Sequence, residues 1–255
     1  MSTTETIKKA QAALSRGDLS GARSILGTVI DQNPADFEGR YTMAVLHRTT
    51  GEHSLAKKVL AELLSEKPDF GRGFQELGYC ELALKRDPDA QLAFEKAVEL
   101  DASLLDSWRF LSALYQRQKD PRAEHAERQI AFLNELPPEL RTVISYLAAN
   151  RLADAERLCR FFMKQNQTHI EGMRLMAEVA TRTGVFDDAE FLLETAVELE
   201  PEHMDADIQL VHVLLRRQRF HKAYQRASSL YRSHGETVQQ VLALYASACF
   251  GVGKN

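Results

Sequence analysis

The chain has 255 residues, of which 44% are hydrophobic and 27% are charged, and its formal net charge is −4. This balance supplies a sizeable core but lacks the positive excess of a duplex nucleic-acid binder, so we expect no nucleic-acid partner. The longest nearly apolar stretch, residues 241–252, is too short to cross a bilayer as a helix, and we expect no membrane insertion.

The sequence repeats with a period of 34 residues, beginning near its N-terminus. Alanines recur at this interval in the two halves of the chain, as Ala22, Ala56, Ala90, then Ala155, Ala189 and Ala223. Within each period apolar residues recur at spacings of three and four, which is typical of two amphipathic helices. Small residues such as Gly78 suit close helix approach, and large ones such as Phe94 fill the remaining space. We therefore predict an all-α fold with one helix pair per period.

The period divides the chain into seven units followed by half a unit. The predicted units span residues 3–36, 37–70, 71–104, 105–135, 136–169, 170–203 and 204–237. Glycine is expected at the turn between the two helices of a unit, as at Gly17, Gly51 and Gly184.

The fourth unit carries the clearest local pattern, "WRFLSALY", with Trp108 and Tyr115 at its ends. With the alanine, aromatic and proline positions of the other units, it resembles the tetratricopeptide repeat. The resemblance implies a right-handed superhelical solenoid of antiparallel helix pairs. It also implies a non-catalytic scaffold that binds a protein or peptide in a concave groove.

The fourth and fifth units are the imperfect ones. The step from Ala90 to Ala155 falls three positions short of two full periods, and "NELPPEL" marks the break near residues 134–140. Pro138 suits the first turn of a helix. One interpretation is a single array over residues 1–255 with one shortened turn. The other is two sub-arrays, 3–135 and 136–253, with a change of direction between them.

Neither a metal site, a cofactor nor a catalytic residue is predicted. The eight histidines show no HxH or HExxH spacing, and the three cysteines form no CxxC pair. The N-terminal residues contain no apolar secretory segment, so we expect a cytoplasmic protein. The tail "FGVGKN" resembles a phosphate loop, but Ala248 replaces its first glycine and Asn255 its Ser or Thr. Gly253 is therefore interpreted as a turn between two helices.

The candidate binding residues are outward-facing positions on the first helices of the units. Tyrosine and arginine are enriched at binding hot spots, so we predict contact with a partner, against the alternative of a solvated face. The predicted set is Tyr41, Arg48, Arg72, Gln75, Tyr79, Arg109, Arg174, Glu178 and His212.

A basic stretch lies later in the chain. "RRQRFHKAYQR", residues 216–226, contains five cations and no acid. It is interpreted either as a solvated turn or as a docking site for an anionic partner.

Residues 136–220 resemble the repeat region of bacterial proteins that join tetratricopeptide repeats to a C-terminal sulfotransferase domain. The phrases "NRLADAERLCRFFM", "EGMRLMAEVA" and "DDAEFLLE" carry this resemblance. It implies, as an alternative function, a substrate-recruiting region of a larger sulfotransferase. None of the residues in the chain corresponds to that family's catalytic domain.

The apolar helix predicted at residues 239–252 would be the first helix of an eighth unit. A helix as apolar as "VLALYASACFGV" should be covered on two sides. We therefore expect a truncated array and predict self-association through this helix.

Overall fold

The protein is described by a computed structural model covering residues 2–234 and 239–253. The described residues form fifteen α-helices and no β-strand, which confirms the predicted all-α fold. The chain divides into two compact units, Met1–Leu136 and Pro137–Asn255, which we call the N-terminal and the C-terminal unit. Whether the array forms the two predicted sub-arrays stays a prediction.

The N-terminal unit consists of four helix pairs. Its first helices are α1 Thr3–Ser15, α3 Phe37–Thr49, α5 Gly71–Ala83 and α7 Leu105–Gln118. Its second helices are α2 Leu19–Gln32, α4 His53–Glu66, α6 Asp87–Leu100 and α8 Arg122–Glu135.

The C-terminal unit continues the alternation within its described residues. Its first helices are α9 Pro138–Ala148, α11 Ile170–Thr183, α13 Met204–Arg216 and α15 Gln239–Gly251. Its second helices are α10 Leu152–Gln165, α12 Phe186–Leu199 and α14 Phe220–His234.

Each turn between paired helices places one residue in the left-handed region. Glycine occupies it at Gly17, Gly51 and Gly184, and Gly253 after α15 has the same conformation, with φ between 70° and 82° at all four. Elsewhere the position is held by Lys85, Lys119, Asn150 and Gln218. In the first seven turns the next N–H returns to the carbonyl five positions earlier at 2.8–3.0 Å, as a Schellman motif does. The glycine turns at Gly17, Gly51 and Gly184 are thus confirmed. The interpretation of Gly253 as a turn between two helices stays a prediction, because Lys254 and Asn255 lie outside the described residues.

The phase break has a local cause. Other consecutive pairs within the first seven are joined by linkers of equal length, such as 33–36 and 67–70, whereas only Leu136 and Pro137 separate α8 from α9. Helix α9 is also short, with 11 residues against 13 or 14 in α1–α8. Pro138 is its first residue, where the missing N–H is harmless, because the first N–H groups of a helix have no partner within it.

The core is a succession of small clusters between neighbouring helices rather than one central mass. The six alanines of the repeating ladder are all 0% exposed. Phe94 is also fully buried, and Trp108 and Tyr115 pack in the same cluster. A Cβ on Gly78 would lie 2.8 Å from the Phe94 ring, so this glycine allows the ring to pack against the backbone of α5. This repeated packing fixes which side of each first helix remains open to a partner.

Candidate binding surface on the first helices

In the N-terminal unit three candidate residues occupy one equivalent position. Tyr41, Gln75 and Arg109 follow one another at intervals of one full period and lie on α3, α5 and α7. Tyr41 and Gln75 are half-buried, and Arg109 is exposed. The Gln75 amide Nε2 donates to Ser107 Oγ at 3.0 Å, which joins α5 to α7. A ligand crossing these helices would meet one member of this column on each.

Arg48 is held in place by its neighbours. Its Nε donates to the carboxylate of Glu76, which is only 8% exposed, and the guanidinium carbon lies 5.1 Å from the centroid of the Tyr79 ring. A cation over a tyrosine face in this range is attractive. Because Glu76 compensates the charge of Arg48, this arginine serves to position Tyr79 and offers little free charge.

The two tyrosines are hydrogen-bond donors over the whole neutral range. Burial raises the pKa of Tyr79 to about 12, with further increases from Asp106 and Glu76. Burial also raises the pKa of Tyr41, and the charge of Glu76 adds to the effect. The Tyr41 ring packs edge-on against Phe70 at 4.9 Å. Both phenols are therefore neutral and held by ring contacts.

Arg72 and Arg109 are the exposed cations of this face. Arg109 Nη1 lies 3.1 Å from Asp106 Oδ1, and both side chains of this pair are more than half exposed. A solvent-exposed pair of this kind contributes little to stability, so a ligand carboxylate can compete for the arginine at small cost.

In the C-terminal unit the matching face carries a partly buried ionic cluster. Glu171 on α11 accepts from Arg174 Nη2 at 2.8 Å and from His203 Nε2 at 2.9 Å. Burial alone would raise the pKa of Glu171, but the His203 hydrogen bond and the Arg174 charge outweigh it and hold the pKa at about 2. The other nitrogen of His203 caps α13, because Nδ1 accepts from the Ala206 N–H at 3.2 Å.

Glu178 connects this cluster to its surroundings. Its carboxylate accepts from Arg182 Nε at 2.7 Å and from Gln209 Nε2 at 2.9 Å. Arg182 also donates to the Leu147 carbonyl on α9 at 2.9 Å. His212 lies on α13, and partial desolvation of its ring together with the charge of Arg216 lowers its pKa. Arg174 and Glu178 thus bind residues of the chain itself.

Sequence reasoning missed the residues that hold the candidates in place. Glu76, Ser107, His203 and Gln209 each contact a candidate or its partner from a neighbouring position or helix. The available signal was their place on or just before the first helices, because Glu76 and Ser107 are buried rather than outward-facing. The repeat period of the sequence does not show which side chains pair between neighbouring helices.

We expect Glu171→Gln to show a characteristic dependence on pH. The pKa of Glu171 is lower in the folded state than its ordinary value of 4.5, so the carboxylate stabilises the protein above that pH, and the contribution is lost as pH falls towards 2. The substitution should lower the free energy of unfolding by about 2 kcal/mol near neutral pH and by much less at about pH 2 to 3. Urea unfolding across this range measures the difference. A loss independent of pH, or an equal loss in the exposed control Glu198→Gln, would contradict the assignment.

The described residues contain neither a cluster of metal-ligand side chains nor a membrane-spanning helix. Within residues 2–234 and 239–253, no three His, Cys, Asp or Glu side chains come together as metal ligands would. In the same part of the chain, no helix combines the length and the apolar character that a membrane crossing requires.

Comparison with known proteins supports the repeat assignment. Residues 13–77 match a family model described as tetratricopeptide repeat. No curated protein matches the sequence.

Solved structures with a similar arrangement of helices share little sequence with the chain. A tetratricopeptide repeat protein from Parabacteroides merdae is 15% identical, with 96% of this chain and 98% of that chain covered and a TM-score of 0.44. The TPR2AB domain of yeast Sti1, solved in complex with pHSP90, is 13% identical over 96% and 98%, with a TM-score of 0.40. Yeast Tom70 is 18% identical over 96% of this chain and 53% of its own, with a TM-score of 0.43. Residues 13–77 are thus similar to the tetratricopeptide repeat, and the described helix pairs outside this segment have the same arrangement of two helices per period.

Proposed function

We propose that the chain is a scaffold that binds an extended peptide or a protein segment across α3, α5 and α7. The observation that carries the proposal is the column of Tyr41, Gln75 and Arg109, with Tyr79 beside it and fixed by Arg48. Stacked helix pairs present such a face as an extended binding surface.

The chemistry of this face suits a ligand with backbone carbonyls and at least one carboxylate. Neutral Tyr41 and Tyr79 can donate to carbonyl oxygens, and Arg72 and Arg109 are exposed cations. Because the tyrosine rings already pack against neighbours, binding orders few additional side chains, which favours affinity. A ligand on the face of the C-terminal unit would meet Arg174, Glu178 and His212 as hydrogen-bonding groups rather than as net charge.

This function is tested by selecting, from a displayed library of linear peptides of about twelve residues, those that bind the full chain. We expect the enriched peptides to carry an acidic residue and to bind the variant Tyr41→Ala/Gln75→Ala/Arg109→Ala at least tenfold more weakly, as measured by calorimetry. The matched control replaces three side chains that are not on this face, Gln165→Ala/Arg128→Ala/Leu199→Ala. Equal binding by the two triple variants would rule out this surface.

We propose a second use for α15, namely self-association. Leu242 is 48% and Phe250 81% exposed, and Ala246 lies between them on the same side of the helix, since the three recur at every fourth position. Light scattering at increasing protein concentration should show association in the wild type and less in Phe250→Ser. A strictly monomeric wild type would contradict it.

The resemblance of residues 136–220 supports an alternative proposal, in which the repeats recruit an acceptor for a sulfotransferase domain. A reading frame that continues past Asn255 into a Ser/Thr-rich phosphate loop would support it, and a stop codon there would refute it. Tetratricopeptide repeats are themselves typically non-catalytic.

We further propose a reducing, cytoplasmic location. Cys80 and Cys159 are buried free thiols, and burial raises their pKa values to about 11 and about 12. Such thiols are inert in the way expected of small core residues.

A further inference from the structure

An apolar groove opens between α10 and α12, with α11 as its floor. It has a volume of about 460 Å³. The walls and floor are mainly apolar and include Met163, Met176, Val179, Val185, Phe191 and Leu192. Val185 is 46% and Phe191 69% exposed, so two large apolar side chains of the groove face solvent. Exposed apolar surface that is concave and bordered by polar residues is typical of an interaction site.

The groove is separate from the binding surface on the first helices. On α11 the ionic cluster uses Glu171, Arg174 and Glu178, whereas the groove uses Met176, Val179 and neighbouring residues. At 3.6 residues per turn the two sets point in directions roughly 140° apart around the helix. A ligand in the groove would therefore not touch the first-helix face.

An equivalent groove lies one repeat later in the chain, and ion pairs between side chains bridge it. In that later groove, Arg217, Arg219 and Lys222 approach Glu190 at 2.5, 2.7 and 3.5 Å. Glu190 is only 3% exposed, and the ionic cover joins α12 to the start of α14.

In the earlier groove the equivalent residues cannot form this cover. The positions one period before the three cations hold Thr183, Val185 and Asp188, and the counterpart of Glu190 is Glu156. Glu156 instead pairs within its own helix, accepting from Arg160 Nη2 at 2.8 Å. Phe191 likewise stands where the later groove has Gln225. Apolar residues thus take the place of the cationic bridge, and the lining of this groove is mainly apolar where that of the later groove is mainly polar.

The charges around the groove give it a direction. Lys164 lies near the end of α10, and Asp188 lies in the first turn of α12. Because α10 and α12 are both second helices, these charges mark opposite ends of the groove, about 15 Å or nearly three helical turns apart. No ion pair joins either residue to another within the described part of the chain. A helical ligand with an acid in its first turn and a base in its last would match both charges, and this order also suits its own dipole.

We propose that this groove binds an amphipathic helix of a partner protein through two apolar side chains at positions i and i+4. The helix carries an acidic residue one turn before them, near Lys164, and a basic residue one turn after them, near Asp188. It therefore runs antiparallel to α10 and α12. Helix-in-groove recognition of this kind reads apolar anchors at such spacings.

The probe is a capped, alanine-based peptide of about fifteen residues that carries the pattern Glu-x-x-Leu-x-x-x-Phe-x-x-Lys. Its binding to the full chain is measured by fluorescence anisotropy. A second peptide exchanges the Glu and the Lys. We expect micromolar binding of the first peptide and at least threefold weaker binding of the second.

Variants of the chain identify the site. Val185→Arg/Phe191→Gln introduces the residues of the later groove and should weaken binding of the first peptide at least tenfold. Phe161 is an exposed phenylalanine on α10 that does not line the groove, so Phe161→Gln should leave binding unchanged. Lys164→Glu/Asp188→Lys should reverse the preference between the two peptides. Circular dichroism and thermal unfolding verify that each variant is folded.

Three outcomes would overturn the proposal: no binding of either peptide, equal binding by Val185→Arg/Phe191→Gln, or an unreversed preference. Concentration-dependent association that Phe191→Gln abolishes would assign the groove to a second copy of the chain instead. The triple variant of Tyr41, Gln75 and Arg109 should bind the helical peptide normally, so failure of the first-helix proposal and failure of this one are distinguishable.

Discussion

Phe94→Ala is expected to lower the free energy of unfolding by about 3 to 5 kcal/mol. Phe94 is fully buried, and its ring centroid lies 5.3 Å from that of Tyr79 on α5 and 4.7 Å from that of Phe110 on α7. The ring therefore connects three consecutive helices, and the cavity left by alanine cannot be filled by one neighbour. Denaturant unfolding measures the loss. The matched control is Phe191→Ala, which should cost well under about 1 kcal/mol because this ring is 69% exposed.

The contact of Phe94 with Gly78 supplies a sharper test of the same packing. Gly78→Ala would place a methyl group 2.8 Å from the ring and should cost about 1 to 3 kcal/mol. In the double variant Gly78→Ala/Phe94→Leu the smaller side chain makes room, so the double loss should be less than the sum of the single losses. If the two losses of unfolding free energy were strictly additive, the residues at positions 78 and 94 would not compete for the same space.

Glu190→Ala is expected to lower the free energy of unfolding by about 3 kcal/mol. The Glu190 carboxylate is buried, and Arg217 and Arg219 donate to its two oxygens. Removing it leaves these cations and Lys222 close together without their shared anion. The loss should grow as salt is lowered, because the remaining repulsion is then less screened.

Two glutamates serve as controls for this prediction. Glu156, the equivalent residue one repeat earlier, pairs with Arg160 of its own helix, and Glu198 is exposed at the end of α12. Alanine at either position should cost less than about 1 kcal/mol. If Glu156→Ala were as destabilising as Glu190→Ala, the ionic bridge would not be what distinguishes the two grooves.

The ionic bridge also explains the basic stretch at residues 216–226. From the sequence, its five cations suggested either a solvated turn or a docking site for an anionic partner. Four of the five instead approach acids of α12 and α13 within the chain, with Arg226 3.6 Å from Asp207 as the longest contact. Most of this charge is therefore compensated internally.

The sequence by itself determined the repeating backbone of the protein. The spacing of small and large residues defined the helix pairs, because each pair must bury the same stripe against the next. The left-handed turn residues follow the same interval, with one full period from Gly17 to Gly51 and from Asn150 to Gly184, and a step three positions shorter from Lys119 to Asn150. Local chemistry was sufficient here, since a helix and its turn are specified by residues within one period.

Only the tertiary structure decided which side chains are compensated and which are available. Arg48 and Arg109 look alike in the sequence, but Glu76 neutralises the first from a neighbouring helix, while the second pairs only with exposed Asp106. The groove beside Phe191 likewise depends on three helices, and the ionic bridge of its counterpart depends on cations from the following turn. The repeat period determines which face of a helix each residue lies on. Pairing across helices depends on distances of a few ångströms between particular side chains, and these are set by packing.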